Sequence, residues 1–197
     1  LIINGSAITI MQFSDRLFLS KHSTVAINAA MPSAVLSFTL LSIITFVVAY
    51  SNTFVAQNFG AGRKENCIFS AVQGMWLAVG SVPIYLLMIP LGEYIITLFG
   101  YGPELMKAFK VYFRWMMLGG VFVGLNYALG GYFTGQSRLK PNVIAQVIGC
   151  TANIILDYIF IFGKCGIPEH LTGIRGAAIA TIIASVIPCV IQFVWML

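Results

Sequence analysis

Six apolar runs divide this chain of 197 residues, and five of them are long enough to cross a membrane. A helix needs about 20 apolar residues to cross the hydrocarbon core of a bilayer. Inside that core every backbone polar group needs an internal partner, and these runs do not alternate in polarity as the strands of a membrane barrel do. We therefore predict an all-α integral membrane protein, a bundle of six transmembrane helices at 1–19, 33–57, 68–90, 111–134, 142–162 and 176–197.

The composition agrees with a multi-pass membrane protein and excludes several other classes. Hydrophobic residues make up 59% of the chain and charged residues 9%, with a mean hydropathy of +0.92. A soluble domain carries roughly 25% charged residues. The net charge of +5 is spread too thinly for the basic stripe of a nucleic-acid-binding protein. The four cysteines have no metal or redox spacing, so we expect no cofactor.

The chain is predicted to form a single membrane domain over residues 1–197. It opens with Leu1 inside an apolar run and closes at Leu197 within another. We interpret it as a fragment of a longer protein, with the first helix truncated. No cleavable signal peptide is visible.

Two short basic connections, GRKE at 62–65 and SRLK at 137–140, fall on the same predicted side of the membrane. The loops of that side carry four Lys or Arg residues and those of the other side carry five. The total is therefore indecisive, but the basic residues are denser in these two loops, which favours a cytoplasmic location.

The third connection is longer than the others. We predict that 91–113 lies along the membrane interface before the fourth helix, with its polar residues at the level of the lipid headgroups: Glu93, Tyr101, Glu104, Lys107, Lys110 and Tyr112. Pro83 and Pro188 fall inside predicted helices and are expected to kink them.

A lone acid in the fifth run is the main indication of function. Asp157 is the only charged residue between Asn142 and Phe162, and Asn153 lies four residues before it on the same helical face. A carboxylate inside a membrane is costly, so such a residue indicates a functional site. Asp15, beside Arg16 near the end of the first run, is a second candidate. The two acids suggest a site that binds a cation or a proton; the alternative is that they pair with neighbouring helices structurally.

Counting residues from the outer end of each helix places a polar residue of a third helix at the same depth in the membrane. Asp15, Asp157 and Thr181 each lie six or seven residues from the basic residue at the outer end of their helix. At 1.5 Å of rise per residue, both acids are about 9–10 Å from that end, and Asn153 lies one turn deeper. For Asn153, Thr181 and Asn126 the alternative is ordinary hydrogen bonding between helices. Gln12 and Asn126 are candidates for lining a substrate pathway.

Five segments carry a resemblance to a known family. The chain resembles the N-terminal lobe of a multidrug and toxic compound extrusion (MATE) transporter in SDRLFL at 14–19, QNFGAGRKENC at 57–67, GYFTGQSRLKP at 131–141, NIILDYIFIFG at 153–163 and GIRGAAIAT at 173–181. These segments run through nearly the whole chain in order. The Asn-x-x-x-Asp of the fifth helix, followed by the Gly-rich opening of the sixth, is the more specific part.

The resemblance implies one lobe of a transporter of twelve helices in the cytoplasmic (inner) membrane. Members of the family export cationic amphipathic compounds in exchange for sodium ions or protons. The resemblance assigns the coupling site, including a possible sodium ion, to Asp15, Asn153 and Asp157, with Thr181 nearby. It implies small cationic organic substrates, contact with membrane lipids, and a missing C-terminal lobe. It also places the GRKE and SRLK loops in the cytoplasm.

Two residues depart from the family pattern. Arg16 stands where a small or polar residue is usual, and Arg175 interrupts a neutral segment. These departures concern the electrostatics around the site.

We predict a cation-coupled antiporter that works by alternating access and is not an enzyme. The alternatives are a flippase-like exporter of lipid-linked substrates from the same superfamily, a non-transporting membrane subunit, and an intramembrane enzyme. The last would carry a motif such as GxGD or HExxH, which the sequence lacks.

Overall fold

The structure is a computed structural model that describes residues 2–197. Leu1, where the first predicted span begins, lies outside the described residues. The described part is helical without a β-strand, and its helices are α1 (Ile2–His22), α2 (Thr24–Ala49), α3 (Ser51–Gly60), α4 (Lys64–Gly80), α5 (Val82–Leu98), α6 (Pro103–Leu118), α7 (Gly120–Gly135), α8 (Leu139–Ile161) and α9 (Ile174–Met196). Two short turns of 3₁₀-helix, Lys164–Gly166 and Glu169–Leu171, connect α8 to α9.

These helices follow the order of the six predicted runs. Three runs correspond to one helix each, and the other three are each built from two helices. Single residues join α2 to α3, α4 to α5 and α6 to α7: Tyr50, Ser81 and Gly119. By length and hydropathy, four helical segments of the described chain qualify as membrane spans, and five when α4 and α5 count as one. The helix α1 is long enough but less apolar than these. The all-α membrane fold is confirmed.

The helices extend beyond most of the predicted bounds. The second run was expected at 33–57, but α2 and α3 together cover Thr24–Gly60. The reason is local: Ser23 has extended backbone and its hydroxyl accepts a hydrogen bond from the Ala26 amide, 3.4 Å away, which caps the first turn. A search for apolar runs detects only the apolar centre of such a helix. The positions of its polar ends are set by capping residues such as Ser23.

The two expected kinks have different outcomes. The helices α4 and α5 are bent by 40° at Ser81, and Pro83 stands in the first turn of α5. Proline suits that position because the first turn needs no donor from its backbone. Pro188 lies inside α9, which continues past it as one helix.

The segment at 91–113 was expected along the interface, and this is wrong for most of its length. It consists of the end of α5, a short reversal and the start of α6. The two helices pack so closely that a side chain at Gly92 would collide with the ring of Phe113. Tyr112, expected among the headgroups, is 7% exposed and lies in a core cluster with Leu19 and Ile161.

A pair of charges links the two helices of this hairpin. The Arg114 guanidinium donates two hydrogen bonds to the Glu93 carboxylate, one of them from Nη2 to Oε2 at 2.8 Å. A two-pronged pair of this kind fixes geometry as well as neutralising charge. Glu93 is therefore held by α6 instead of standing free at the membrane surface.

Small residues bring α8 and α9 together on one side of the bundle. A Cβ added at Gly149 would lie 3.0 Å from Cδ of Pro188, and one added at Gly176 would lie 2.5 Å from the backbone oxygen of Phe160. Glycine at these positions lets the two backbones approach, as is common in membrane bundles. The helix α8 also packs against α1, so these three helices form one wall of the bundle.

We expect Gly176→Ala to destabilise the protein by about 1–3 kcal/mol, because the new methyl group meets rigid backbone and α9 must move away from α8. The measurement is the thermal unfolding midpoint of the detergent-purified protein. Gly80→Ala is the matched control: Gly80 is also helical, but nothing lies within 4 Å of a Cβ placed there. Equal midpoints for the two variants would contradict close packing at Gly176.

Candidate functional site

The acid cluster, defined as Asp15, Asn153 and Asp157, forms where α1 packs against α8. Asn153 and Asp157 are one turn apart on α8, on the face that meets α1, and both are 0% exposed. Asp15 comes from α1 and is partly buried. The i, i+4 spacing that suggested a shared face therefore brings the amide and the carboxylate to the same contact, as predicted.

The amide of Asn153 bridges the two acids. Its orientation is assigned from its neighbours: with the nitrogen toward the carboxylates, Nδ2 donates to Asp15 Oδ1 at 2.9 Å and to Asp157 Oδ2 at 3.1 Å. The reverse orientation would turn the amide oxygen toward two acceptors. One side chain thus holds carboxyl groups from two helices.

The hydrogen bonding of the cluster is incomplete. Asp157 Oδ1 is buried and has no hydrogen-bond partner among the described residues. The carboxyl groups of Asp15 and Asp157 share the Asn153 amide and therefore stand close to each other. Two ionised carboxylates so close repel, so the arrangement requires a proton on one of them or a cation between them. Chemically, it can bind and release either one.

Arg16 does not neutralise the cluster by direct pairing. Its side chain is exposed, whereas Asp15, the preceding residue, faces α8. The guanidinium acts on Asp15 only through its field. This agrees with the rotation of about 100° between consecutive residues of a helix.

Tyr112 is a neighbour that the sequence interpretation missed. It is buried on α6 and packs with Leu19 of α1 and Ile161 of α8, the two helices that carry the acids. The sequence carried little signal for this, because a tyrosine near the charged residues of 104–110 is equally typical of a membrane interface. The helical continuation of α6 through Tyr112 places it inside.

A cavity of about 620 Å³ adjoins the cluster, between α1, α3, α7, α8 and α9. Gln12 and Asn126, both predicted to line a pathway, lie in its wall. Cys150 also lines it, three residues before Asn153, and Gln12 is three residues before Asp15. The acid cluster therefore stands about one helical turn from the cavity along both α1 and α8. None of the described residues in the wall is charged.

Thr181 lies in the cavity wall and is not hydrogen-bonded to the acids. Its hydroxyl donates to the backbone oxygen of Ala177 at 2.9 Å, one turn earlier in α9. The structure therefore brings together three of the four residues predicted for the cation site and places the fourth beside the cavity.

Asn126 both packs helices and lines the cavity. Its Nδ2 donates to the backbone oxygens of Phe122 at 3.0 Å and Ser185 at 2.9 Å, which links α7 to α9. Its Oδ1 is buried without a partner among the described residues. The two hypotheses for this residue, packing and pathway lining, are therefore compatible.

Comparison with known proteins places this architecture in a family. A family model described as MatE matches residues 1–159. The probable multidrug resistance protein NorM of Thermotoga maritima is 26% identical over 172 residues, covering 87% of this chain and 37% of that protein. This chain thus spans well under half the length of that relative.

Solved structures agree in fold. One is described as an outward-facing conformation of a multidrug resistance MATE family transporter; it matches 99% of this chain and 42% of its own, with a TM-score of 0.85 and 23% identity. A second, a MOP superfamily transporter from Pyrococcus furiosus, covers 98% of this chain and 42% of its own, with a TM-score of 0.82 and 23% identity.

The family match extends over most of the chain, from α1 to the acid cluster on α8. The chain belongs to the MatE family.

Proposed function

We propose that this chain is the N-terminal lobe of a cation-coupled multidrug antiporter that works by alternating access. The observation that carries the proposal is the acid cluster: two carboxyl groups from different helices, bridged by one amide, with a buried oxygen that has no partner in the described part of the chain. Buried ionisable groups within membrane spans are typical of ion and proton pathways. The name of the Thermotoga relative, a probable multidrug resistance protein, supports the drug-exporting part.

A second lobe would complete the transport pathway. The chain spans 37% of the NorM relative and 42% of the transporter structures that it matches. In our proposal the cavity of this lobe opens toward the missing lobe, and substrate passes between the two. The lipid-facing residues of α2, α4 and α5 contact the membrane, as expected from their large exposed side chains: Phe38, Phe46, Phe69, Trp76, Leu87 and Tyr94.

The substrates in this proposal are small organic cations. The cavity is large enough for a ligand of drug size, and its wall is apolar with a few amides and hydroxyls. The acids of the cluster stand about one helical turn from the cavity wall. Their negative charge would favour a cationic ligand over an anionic one.

The coupling ion is either a proton or sodium, and Asn153 suits both. In the orientation described above, its nitrogen donates to both carboxyl groups. Rotation of the amide by half a turn would direct its oxygen to the same point, where it would join carboxylate oxygens as a ligand for sodium. No other cofactor is implied by the chemistry of the cluster.

Ion and substrate would exclude each other through the state of the two acids. A bound cation or proton neutralises the buried charge and favours close packing of α1 against α8. A cationic substrate in the adjoining cavity favours the ionised cluster instead. Each ligand shifts the equilibrium between the two states only by its difference in affinity for them.

The antiporter fits the cavity better than the alternatives do. A flippase for anionic lipid-linked substrates would use basic residues in the cavity, and the described wall carries none. An enzyme would need a nucleophile paired with a base at the cavity surface; Cys150 lines the cavity, but the two acids stand about one helical turn from its wall. A non-transporting subunit would have no use for a buried acid pair.

Removal of the titratable group on α8 is the direct test. In the complete protein, Asp157→Asn should abolish ion-driven export, because Asn keeps the size of the side chain but cannot bind a proton or supply a negative charge. Asp15→Asn should impair export too, less completely because Arg16 already weakens the charge there. The measurement is ethidium efflux from cells, together with the amount of protein in the membrane.

Glu104→Gln is the matched control, since it removes an exposed carboxylate in the first turn of α6. It should leave efflux unchanged. Ion-dependent efflux at the wild-type rate in Asp157→Asn would make the cluster a packing feature and would contradict the proposal. Loss of the protein from the membrane would point instead to a structural role.

The proposal includes an orientation in the inner membrane, with the loops around Arg63 and Arg138 in the cytoplasm. A cysteine introduced at Arg63, in a background without the native cysteines, should not react with a membrane-impermeant thiol reagent in intact cells. It should react after the cells are opened. A cysteine at Glu169, in the connection between α8 and α9, should show the opposite pattern; labelling of the Arg63 position from outside would invert the orientation.

A further inference from the structure

One end of the cavity is built from uncharged polar side chains, here called the amide end. It lies toward the loops that contain Arg63 and Arg138, away from the acid cluster. Its members come from four helices: Asn52, Thr134, Asn142, Gln146 and Gln192. All but Gln192 line the cavity, and Gln192 lies behind Asn142. These amides stand apart from the acid cluster, and hydrogen bonds between helices use only part of their capacity.

Two adjacent glycines of α7 allow the asparagines to reach the cavity. A Cβ at Gly130 would lie 3.2 Å from Asn142 Oδ1, and a Cβ at Gly131 would lie 3.1 Å from the Cβ of Asn52. Any larger residue at these positions would push on the asparagine beside it. The backbone of α7 thus passes between the two amides, which flank it on neighbouring faces.

Hydrogen bonding at the amide end leaves donors free. Gln192 is 0% exposed, and its Nε2 donates to Asn142 Oδ1 at 3.2 Å. This contact occupies the Asn142 oxygen and leaves its Nδ2 without a partner among the described residues. The Asn52 amide is less engaged: the Thr134 hydroxyl donates to the backbone oxygen of Gly130 at 2.9 Å and lies 3.5 Å from Asn52 Oδ1, and Asn52 Nδ2 has no partner among the described residues.

The free groups determine what this end can bind. Amide N–H groups pair with acceptors such as carbonyl oxygens, and an amide carries no net charge to hold an ion. A donor in an otherwise apolar cavity gains most when the ligand supplies its missing partner. The amide end and the acid cluster therefore favour different chemical groups at opposite ends of one ligand.

We infer that the amide end is a ligand subsite in which Asn52 and Asn142 bind a carbonyl-type oxygen of the substrate, while its cationic part lies toward the acid cluster. This inference rests on the proposed function, because it takes the cavity to be the substrate site. It deepens that proposal by naming a polar, uncharged acceptor as a second determinant of specificity. Gln192 is a positioning residue that fixes the orientation of the Asn142 amide from behind.

Two probes that differ in one acceptor test this inference. Both are triphenylphosphonium cations that carry a chain of the same length. In the first probe the chain is a plain hexyl group, and in the second the same chain carries a ketone near its end. Binding of each is measured by calorimetry on the complete protein in lipid nanodiscs. The ketone should bind about tenfold more tightly, as expected for hydrogen bonds to otherwise unpaired donors.

Three variants locate the effect. Asn52→Leu should reduce the preference for the ketone, and the double variant Asn142→Leu with Gln192→Leu should do the same while leaving no buried amide stranded. Binding of the hexyl cation should stay within about twofold of wild type in both, which also reports that they fold. Asn66→Leu, an exposed amide of α4 outside the cavity, is the control and should keep the full preference.

Three results would overturn the inference. Equal affinity of the wild-type protein for both probes would mean that no acceptor is recognised. A preference that survives in Asn52→Leu and in the double variant would place recognition elsewhere. Failure of the wild-type protein to bind either cation would contradict the proposed function itself, and the inference with it.

Discussion

The bridge from Asn153 to Asp15 and Asp157 is the interaction on which the functional half of this bundle depends. It joins α1 to α8 by hydrogen bonds of 2.9 and 3.1 Å to two carboxyl groups that would otherwise repel each other. Because α8 also packs against α9, the cluster ties the acids to the helices that form the cavity wall. A change of charge at the two acids therefore acts directly on the contact between α1 and α8.

Much of the fold and the centre of the site followed from the sequence. The all-α membrane fold, the shared face of Asn153 and Asp157, and the partnership with Asp15 were all predicted, because bilayer thickness and helical periodicity are strict constraints. The bend near Pro83 was also predicted. Each of these features depends on local sequence or on the cost of burying charge.

The errors arose where packing between helices decides the outcome. Tyr112 was expected at the interface, but α6 continues through it as a helix, and the residue is buried in a cluster with Leu19 of α1 and Ile161 of α8. Thr181 was placed at the right cavity but not in the cluster, because a depth count fixes height and leaves rotation around the helix open. The amide end was missed because its residues come from four helices and meet only in the folded bundle.

The single-residue breaks at Tyr50, Ser81 and Gly119 have a consequence for how the bundle deforms. They divide three of the spans, whereas α1 and α8, which carry the acid cluster, are each continuous. Each break has a helical or nearly helical backbone, so the two halves of a span can change their angle without unwinding a turn. Bending is therefore expected in the spans that do not carry the acid cluster. The bundle is unbroken where α1 and α8 hold the cluster and divided around part of the cavity, so the cavity can change shape by a change of angle at these breaks.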